Sequence, residues 1–461
     1  MNRDQSLTTV LFIAIALAAC FTPAQNDTWW HLRAGAEAWH TGRVPLLDTF
    51  SHTAYGAYWP NQEWLGQVVL YGLYRLGGLP LMTAAAAALI TVSWWLIWRL
   101  TPVSILWRIV LCAMAILPSA REWSLRPKVF TSMFVALTLF LIARRRYVWL
   151  PLLFLLWANI HGGVMLGVII VVAAAVGQAV GERRVLNPLA WAAAACLLAT
   201  VATPLGFSLW PEIARSLGRI GQYGIDEWQS TALFDPAFLS FWILSAALVG
   251  LAVAAKPWRR DPESLVLLAP ALALLPLAVR AHRNVGPAVM IAMPVIGALI
   301  AQRSPDGPRA NRREHPTANA LIACIAMVVA TTGVTYAWTA RVARLGWEPI
   351  APAAAAAVST CPERLYNRYD EGGFLIWFVP ATKVFLDGRQ DPYPPDLVLT
   401  QKRVELSGDY RDLFQRYSIR CAFLPVGSPV AARLEAAGWI TEYADPHWIV
   451  LSDTKFRSPG D

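Results

Sequence analysis

Eight residues directly after the first apolar segment combine side chains that can transfer protons and bind anions. This stretch, Asn26 to Arg33, reads NDTWWHLR and holds a carboxylate, an imidazole and a guanidinium beside two tryptophans. His31 follows Asp27 by four residues, so a helical backbone places both side chains on one face. Such a pair can take a proton from a hydroxyl or help to hold a divalent metal ion such as Mg²⁺ or Mn²⁺.

Two more acids follow in the same polar segment. Asp48 lies in the sequence LDTFS, and Glu63 directly precedes another apolar run. Both are candidates for a second catalytic acid, and Asp48 is also a candidate to share a metal ion with Asp27. Each acid also has a structural interpretation. Asp48 can cap a turn, Glu63 suits the start of a helix, and Asp27 can cap one.

Basic and polar residues recur in other short segments between apolar runs. Guanidinium groups bind phosphate through two parallel hydrogen bonds, which makes these residues candidates for binding an anionic substrate. The candidates are Arg33, Arg121, Arg126, Lys128, His161, Arg280, His282 and Arg283. The alternatives are that the basic groups extend to lipid headgroups or pair with neighbouring acids, and that His161, beside two glycines, has a packing role.

The composition is that of a membrane protein with a globular tail. The chain has 461 residues, of which 56% are hydrophobic and only 15% charged, and its mean hydropathy is +0.43. A soluble protein carries about 25% charged residues. Long apolar runs recur from Leu7 to Trp338. We predict an α-helical polytopic membrane domain over residues 1–340, with a long first outer loop over 22–63, and a small α/β domain over 341–461.

The positions of the arginines predict the orientation of the chain. Threading the apolar runs gives about eleven spans, with the N-terminus cytoplasmic and the C-terminal domain extracytoplasmic. Within this threading, Trp64 to Leu76 is too short to cross and is expected at the interface, whereas Leu79 to Trp98 crosses. Arginine clusters fall on the inner side, which accounts for the net charge of +9 without a nucleic-acid partner. The candidate basic residues fall on the outer side, where an anionic substrate is one reason for their presence.

The tail alternates strand-like and helix-like segments. Strands are predicted at Leu365–Tyr369, Phe374–Val379, Lys383–Leu386, Cys421–Pro425 and within Ile440–Ser452, and helices at Leu397–Tyr417 and Val430–Ala437. The sequence DGRQD from Asp387 to Asp391 is typical of a turn with exposed charge. Cys361 and Cys421 can pair if the tail is extracytoplasmic.

The pattern D-x-W-W-x-x-R over Asp27 to Arg33 resembles the first-loop motif of the GT-C membrane glycosyltransferases. Oligosaccharyltransferase catalytic subunits carry Asp-x-Trp-Tyr/Phe-x-x-Arg directly after the first span. Protein mannosyltransferases and aminoarabinose transferases carry an acid in the same loop. The plan of many spans followed by an extracytoplasmic α/β domain is similar too. The Trp-Trp-Asp-Tyr-Gly motif of oligosaccharyltransferases is missing, which argues against the glycosylation of peptide sequons.

The resemblance implies an enzyme of the bacterial inner membrane that transfers a hexose or pentose. The donor is then a polyprenyl-phosphate-sugar lipid, and the acceptor is a periplasmic lipid, glycan or protein. Asp27 takes the role of catalytic base or metal ligand, and Arg126, Arg280 and Arg283 stabilise the departing phosphate. A transporter or lipid flippase remains an alternative, although few ionisable residues lie inside the spans. A non-catalytic scaffold whose tail binds cell-wall partners is another.

Overall fold

A computed structural model describes residues 1–223, 225–303, 315–340, 349–361 and 364–453. The chain divides into two compact units. The first comprises Met1–Thr22, Leu76–Leu209 and Ile225–Val342, and the second comprises Pro23–Arg75, Trp210–Gly224 and Ala343–Asp461. The polar segment after the first apolar helix therefore belongs to the same compact unit as the C-terminal tail.

The first unit is built from apolar helices joined by short turns. Its helices are Arg3–Ala19, the Leu76 to Arg99 part of Trp64–Arg99, Ile105–Ser119, Lys128–Ala143, Leu150–Ile160, Val164–Glu182, Pro188–Ala199, Leu239–Ala255, Pro257–Arg260, Leu265–Arg280, Val285–Arg303 and Pro316–Ala340. The turns that join them include short 3₁₀ segments at Ala120–Glu122, Asp226–Trp228 and His282–Asn284. Three of the basic residues that the sequence singles out, Arg121, His282 and Arg283, lie in these segments.

Several of these helices have the length and composition of membrane spans. Among the described residues, five segments qualify, namely Trp64–Arg99, Val164–Glu182, Pro236–Arg259, His282–Arg303 and Pro316–Tyr336. Four shorter apolar segments accompany them, namely Lys128–Ala143, Tyr147–Ile160, Pro188–Ala199 and Leu265–Arg280. The chain is thus a multi-pass membrane protein. The predicted count of about eleven spans is not confirmed by these lengths, because a helix shorter than about 17 residues is too short to cross the hydrocarbon core alone.

The longest helix is interrupted near its middle. Trp64–Arg99 contains two residues with non-helical backbone angles, Gly77 and Gly78, and the φ of Gly78 is +62°. Glycine adopts this left-handed conformation without a steric cost, and Pro80 then begins the second helical part. The break separates Trp64 to Leu76 from the more apolar segment after it, which is the boundary predicted from the sequence.

The second unit is an α/β domain. Its helices are Asn26–Thr41, the Trp64 to Arg75 part of Trp64–Arg99, Leu209–Tyr223, Pro352–Ser359, Gly372–Phe378, Pro395–Ser407, Arg411–Tyr417 and Pro429–Ala436. Within its described residues, four strands run across the sheet in the order Leu365–Asn367, Cys421–Pro425, Trp448–Ser452 and Ile440–Ala444. The first two pair in parallel and the others antiparallel, and a disulfide joins Cys361 to Cys421.

Two strand predictions in the tail are wrong. Phe374 to Val379 belongs mostly to the helix Gly372–Phe378, whose apolar side packs on the helix Asn26–Thr41 through Trp29 and Phe378, with ring centroids 4.8 Å apart. A short apolar run fits a buried helix as well as a strand, and its periodicity alone cannot separate the two. Lys383 to Leu386 forms no strand of the sheet, because Val384 instead makes an isolated parallel bridge with Ser51.

Candidate functional site

Asp27 occupies the first turn of the helix Asn26–Thr41. The turn begins after Gln25, whose backbone is extended, and an acid in this position is stabilised by the helix dipole. The Oδ1 atom of Asp27 accepts a hydrogen bond from Nε1 of Trp30 at 3.0 Å. This hydrogen bond orients the carboxylate, and Asp27 as a residue is partly exposed.

A loop of the tail approaches the Asp27 carboxylate closely. A Cβ atom added to Gly388 would overlap Oδ1 of Asp27, so only a glycine leaves room for the carboxylate in its present place. The hydroxyl of Tyr369 donates to the carbonyl oxygen of Gly388 at 3.2 Å. Burial, and then the negative charge of Asp27, raise the pKa of Tyr369 well above its ordinary value, so the phenol keeps its proton.

The Gly388 contact leads to a testable prediction. We expect Gly388→Ala to lower the rate of the reaction that uses Asp27 by about 10–100-fold, because a small displacement of a reacting group is costly. The φ of Gly388 lies outside the left-handed region, so alanine introduces no backbone strain there. Gly250→Ala is the matched control, since no neighbouring atom of the described structure lies within 4 Å of its added Cβ. Equal activity of the two variants would contradict the contact's importance.

His31 pairs with Glu63. A partnership of His31 with Asp27 was predicted, whereas the structure places Nε2 of His31 3.5 Å from Oε2 of Glu63. The imidazole is buried and its ring centroid lies 3.5 Å from that of Trp30. Arg33 lies on the same helix and is half-buried. His31 therefore contacts the indole of Trp30, which donates to Asp27, and Glu63 pairs with His31.

Asp48 is fully buried and lies in a polar cluster of its own. Oδ1 of Asp48 accepts from Nη2 of Arg389 at 2.6 Å and from the Phe50 amide at 3.0 Å, while Oδ2 accepts from the amide and hydroxyl of Ser51. These contacts favour the turn-capping interpretation and saturate both oxygens. Asp48 does not fit a metal ligand.

Arg389 and Asp387 complete this buried cluster. The Arg389 guanidinium donates to both carboxylate oxygens of Asp387, at 2.8 and 2.7 Å, and lies over the rings of Phe50 and Trp59, 4.7 and 4.9 Å from their centroids. The hydroxyl of Tyr393 donates to Asp387 at 2.6 Å. The prediction of exposed charge in DGRQD is therefore wrong for Asp387 and Arg389. Arg389 is buried where it pairs with Asp48 of the first polar segment, 341 residues away in sequence, and Asp387 pairs with Arg389.

The metal prediction finds little support in these positions. Within the ranges that the structure describes, no group of three or more His, Cys, Asp or Glu side chains is arranged to hold a metal ion. Of the two acids proposed as ligands, Asp48 is saturated by protein donors, which leaves Asp27 alone. The described contacts of Asp48 therefore do not fit the predicted metal site shared by Asp27 and Asp48.

A second set of predicted residues converges in the first unit. Arg126, Lys128 and Arg283 all donate to the carboxylate of Glu227, at 2.8, 3.2 and 3.0 Å. Arg283 also lies over the ring of Trp228, with its guanidinium carbon 4.1 Å from the centroid. The cations come from chain segments far apart in sequence, so their convergence is a product of the fold.

Lys128 also pairs with a second acid, Glu122. Glu122 accepts from Lys128 and from Nδ1 of His282, the latter at 3.2 Å, and Nε2 of His282 lies 3.6 Å from Asp226. We call these residues the cation network. It consists of Glu122, Arg126, Lys128, Glu227, His282 and Arg283. The predicted alternative, pairing with neighbouring acids, describes its cations well.

The cation network keeps both of its glutamates ionised. Burial alone raises the pKa of Glu122, but Lys128 and the hydrogen bond from His282 outweigh it and lower the pKa to about 2. Burial likewise raises the pKa of Glu227, and Arg283, Lys128 and Arg126 together lower it well below its ordinary value. Both carboxylates are therefore charged throughout the physiological pH range.

The other predicted anion-binding residues lie outside the cation network. Arg121 is exposed and lies 4.0 Å from Asp235, and Arg280 is exposed at the end of its helix. His161 is buried in a turn, where Nδ1 accepts from the Gly163 amide at 2.9 Å. Burial, followed by the charges of the network, lowers the pKa of His161 well below 6.5, so its ring is neutral. These contacts favour a packing role for His161.

The residues that hold the candidates in place were not predicted from the sequence. Glu227 is an ordinary acid in a polar segment until three cations surround it, and Gly388 and Tyr369 lie more than 340 residues from Asp27. The nearest available indication is the glycine of DGRQD between two charged residues, because a glycine there often permits a close backbone approach.

Comparisons with known proteins concern the fold. No protein-family model matches the sequence, and no curated protein matches it significantly. The archaeal oligosaccharyltransferase AglB from Archaeoglobus fulgidus, solved with an inhibitory peptide and a dolichol-phosphate, aligns with a TM-score of 0.58 and 9% identity, over 91% of this chain and 69% of AglB. Its apo form aligns with a TM-score of 0.55 and 12% identity over the same shares of both chains.

A second solved protein matches over nearly its full length. ArnT from Cupriavidus metallidurans, solved with undecaprenyl phosphate, aligns with a TM-score of 0.50 and 16% identity, over 98% of this chain and 99% of ArnT. Identities this low establish the fold alone. AglB and ArnT are both GT-C membrane glycosyltransferases. The chain therefore has the fold of the GT-C superfamily.

Proposed function

We propose that this chain is a membrane glycosyltransferase that takes a sugar from a polyprenyl-phosphate-linked donor. The observation that carries the proposal is the cation network, in which Arg126, Lys128 and Arg283 converge on the Glu227 carboxylate beside the ends of apolar helices. A cluster of cations beside apolar helices suits a phosphate that is attached to a lipid chain better than it suits a soluble anion. The fold supports the same class of substrate, since AglB and ArnT were solved with dolichol-phosphate and undecaprenyl phosphate.

In the proposed transfer, an acceptor hydroxyl attacks the anomeric carbon of the sugar. A bond forms between the hydroxyl oxygen and that carbon, while the bond from that carbon to the phosphate oxygen breaks. The hydroxyl proton passes to the carboxylate of Asp27, and the electron pair of the broken bond stays on the phosphate. Asp27 suits the role of base because Trp30 orients its carboxylate and the residue is partly exposed.

The cations then have a distinct task. The phosphate gains negative charge as the sugar leaves, and fixed positive groups lower the free energy of that charged state. Arg126, Lys128 and Arg283 are our candidates for this role. Arg33, Arg121, Arg280 and His282 remain weaker candidates for substrate contacts. The acceptor, in our proposal, is a periplasmic lipid, glycan or protein, and the enzyme lies in the inner membrane of a bacterium with its tail outside.

Binding of the lipid carrier tests the proposal. We expect the purified chain in detergent micelles to bind undecaprenyl phosphate in preference to undecaprenol. Arg126→Gln and Arg283→Gln should each weaken binding of the phosphate by about 10–100-fold, because each removes a charged hydrogen-bond donor. Arg145→Gln is the matched control, since Arg145 is exposed and pairs with the exposed Glu263. Equal binding of undecaprenyl phosphate and undecaprenol would refute the proposal.

A further inference from the structure

The carboxylate of Glu227 is surrounded by an unusual number of cationic donors. Its two oxygens receive three donors, with Arg283 on Oε1 and both Arg126 and Lys128 on Oε2. One cation balances the charge of one carboxylate, whereas Glu227 has three cationic partners. Three cations arranged around two oxygens instead match the several oxygens of a phosphate group.

The charges of the cation network point the same way. Arg126, Lys128 and Arg283 face two carboxylates, Glu122 and Glu227, which leaves an excess of one positive charge before His282 is counted. With Glu227 withdrawn, the excess becomes two. A phosphate monoester carries nearly two negative charges at neutral pH, and polyprenyl phosphate is such a monoester. Withdrawal of Glu227 therefore leaves these three cations with an excess charge comparable to the charge of a phosphate monoester.

Glu227 is also placed where it can leave. It lies on the three-residue 3₁₀ turn Asp226–Trp228, and the backbone is anchored after it, where the His282 amide donates to the carbonyl oxygen of Gln229 at 3.0 Å. A rotation of one side chain therefore vacates the position. The side chains of Glu227, Arg126, Lys128 and Arg283 are 20%, 17%, 12% and 18% exposed, so the cluster is accessible from its surroundings.

We propose that Glu227 is an internal substitute for the phosphate of the released lipid carrier, and that this phosphate monoester binds by displacing the Glu227 carboxylate from Arg126, Lys128 and Arg283. This inference rests on the proposed function and adds a competition that the proposed function does not require. Glu227 then compensates the charge of these part-buried cations in the empty enzyme and competes with the released phosphate lipid for them, which helps that product to leave.

Binding of undecaprenyl phosphate to Glu227→Gln tests the competition. Glutamine keeps the shape of the side chain but loses the charge that competes for the cations, so we expect the variant to bind about tenfold more tightly than the wild-type chain. Asp226→Asn is the matched control, because it removes a charge from the same turn on a side chain that is 86% exposed. Its affinity should stay within about twofold of the wild type, since solvent screens an exposed charge.

The outcomes separate this inference from the proposed function. If the wild-type chain binds undecaprenyl phosphate and Glu227→Gln binds it equally or less tightly, Glu227 is a structural member of the network and the inference is wrong. If no form of the chain prefers undecaprenyl phosphate to undecaprenol, the proposed function itself fails.

A second measurement covers the case in which Glu227→Gln is unstable. Removal of the carboxylate leaves three cations with less compensation, which lowers the unfolding temperature of the empty variant. We expect inorganic phosphate to raise that temperature in the variant more than in the wild type, and more than chloride at equal ionic strength, because an anion that binds the folded state stabilises it. An equal response of the two proteins to phosphate would overturn the inference.

Discussion

Asp27→Asn is expected to abolish sugar transfer while expression and folding stay close to the wild type. Asparagine has nearly the same shape, and its amide oxygen can still accept the hydrogen bond from Nε1 of Trp30. It cannot take a proton from the acceptor hydroxyl. Loss of a general base costs about 10²–10⁴-fold in rate, which corresponds to about 3–5 kcal/mol of transition-state stabilisation. The measurement is product formation by the variant in membranes from a strain that lacks the wild-type chain.

The control for Asp27 lies on the same helix. Glu37→Gln changes the charge of a half-buried residue further along Asn26–Thr41, and we expect it to keep near-normal activity. The binding of undecaprenyl phosphate should be the same in both variants, because the loss in Asp27→Asn concerns a proton transfer. Transfer activity retained by Asp27→Asn would remove Asp27 from the catalytic role and leave Glu63 with His31 as the remaining acid to test.

Arg389→Ala is expected to destabilise the second unit severely. The guanidinium is the shared partner of two fully buried carboxylates, Asp48 and Asp387, and its loss leaves both without their counter-charge. Removing one member of a buried ion pair costs about 3–5 kcal/mol, because the charge that remains cannot reach water. The unfolding temperature of the purified chain should therefore fall well below that of the wild type.

An exposed ion pair in the same unit is the control for Arg389. Arg420 lies 3.1 Å from Asp453 and its side chain is 38% exposed, so Arg420→Ala should cost less than about 1 kcal/mol. Similar unfolding temperatures for the two alanine variants would contradict the structural importance assigned to the buried cluster. Because Arg389 adjoins Gly388, a partial loss of Asp27 function should accompany the loss of stability.

The sequence predicted features that depend on local patterns. The apolar runs indicated a polytopic helical domain, and the chain shares the fold of AglB and ArnT, members of the superfamily whose motif the residues at Asp27 resemble. The strand Cys421–Pro425 and the helix Pro429–Ala436 also follow from local composition. Each of these features is determined by residues that are neighbours in the chain.

The features that escaped prediction depend on contacts between distant residues. Val384 pairs with Ser51 instead of joining the sheet, and Arg389 is buried because Asp48 receives it. Nothing near DGRQD in sequence indicates either contact. Glu227 became a candidate only when the fold brought Arg126 and Arg283 to it from opposite directions along the chain. One sequence does not indicate which acid the cations of such a cluster surround, because every acid in a polar segment is an equal candidate.

The central claim is that the chain moves a sugar from a polyprenyl-phosphate donor to an acceptor outside the cytoplasm. Mass spectrometry of the lipid-linked sugars and surface glycans of a strain that lacks the chain tests it most directly. We predict that one polyprenyl-phosphate sugar accumulates and that one glycan or glycolipid loses a single sugar. The wild-type chain should restore both, and Asp27→Asn should restore neither. Lipid-linked sugars and glycans that are unchanged by the deletion would contradict the account.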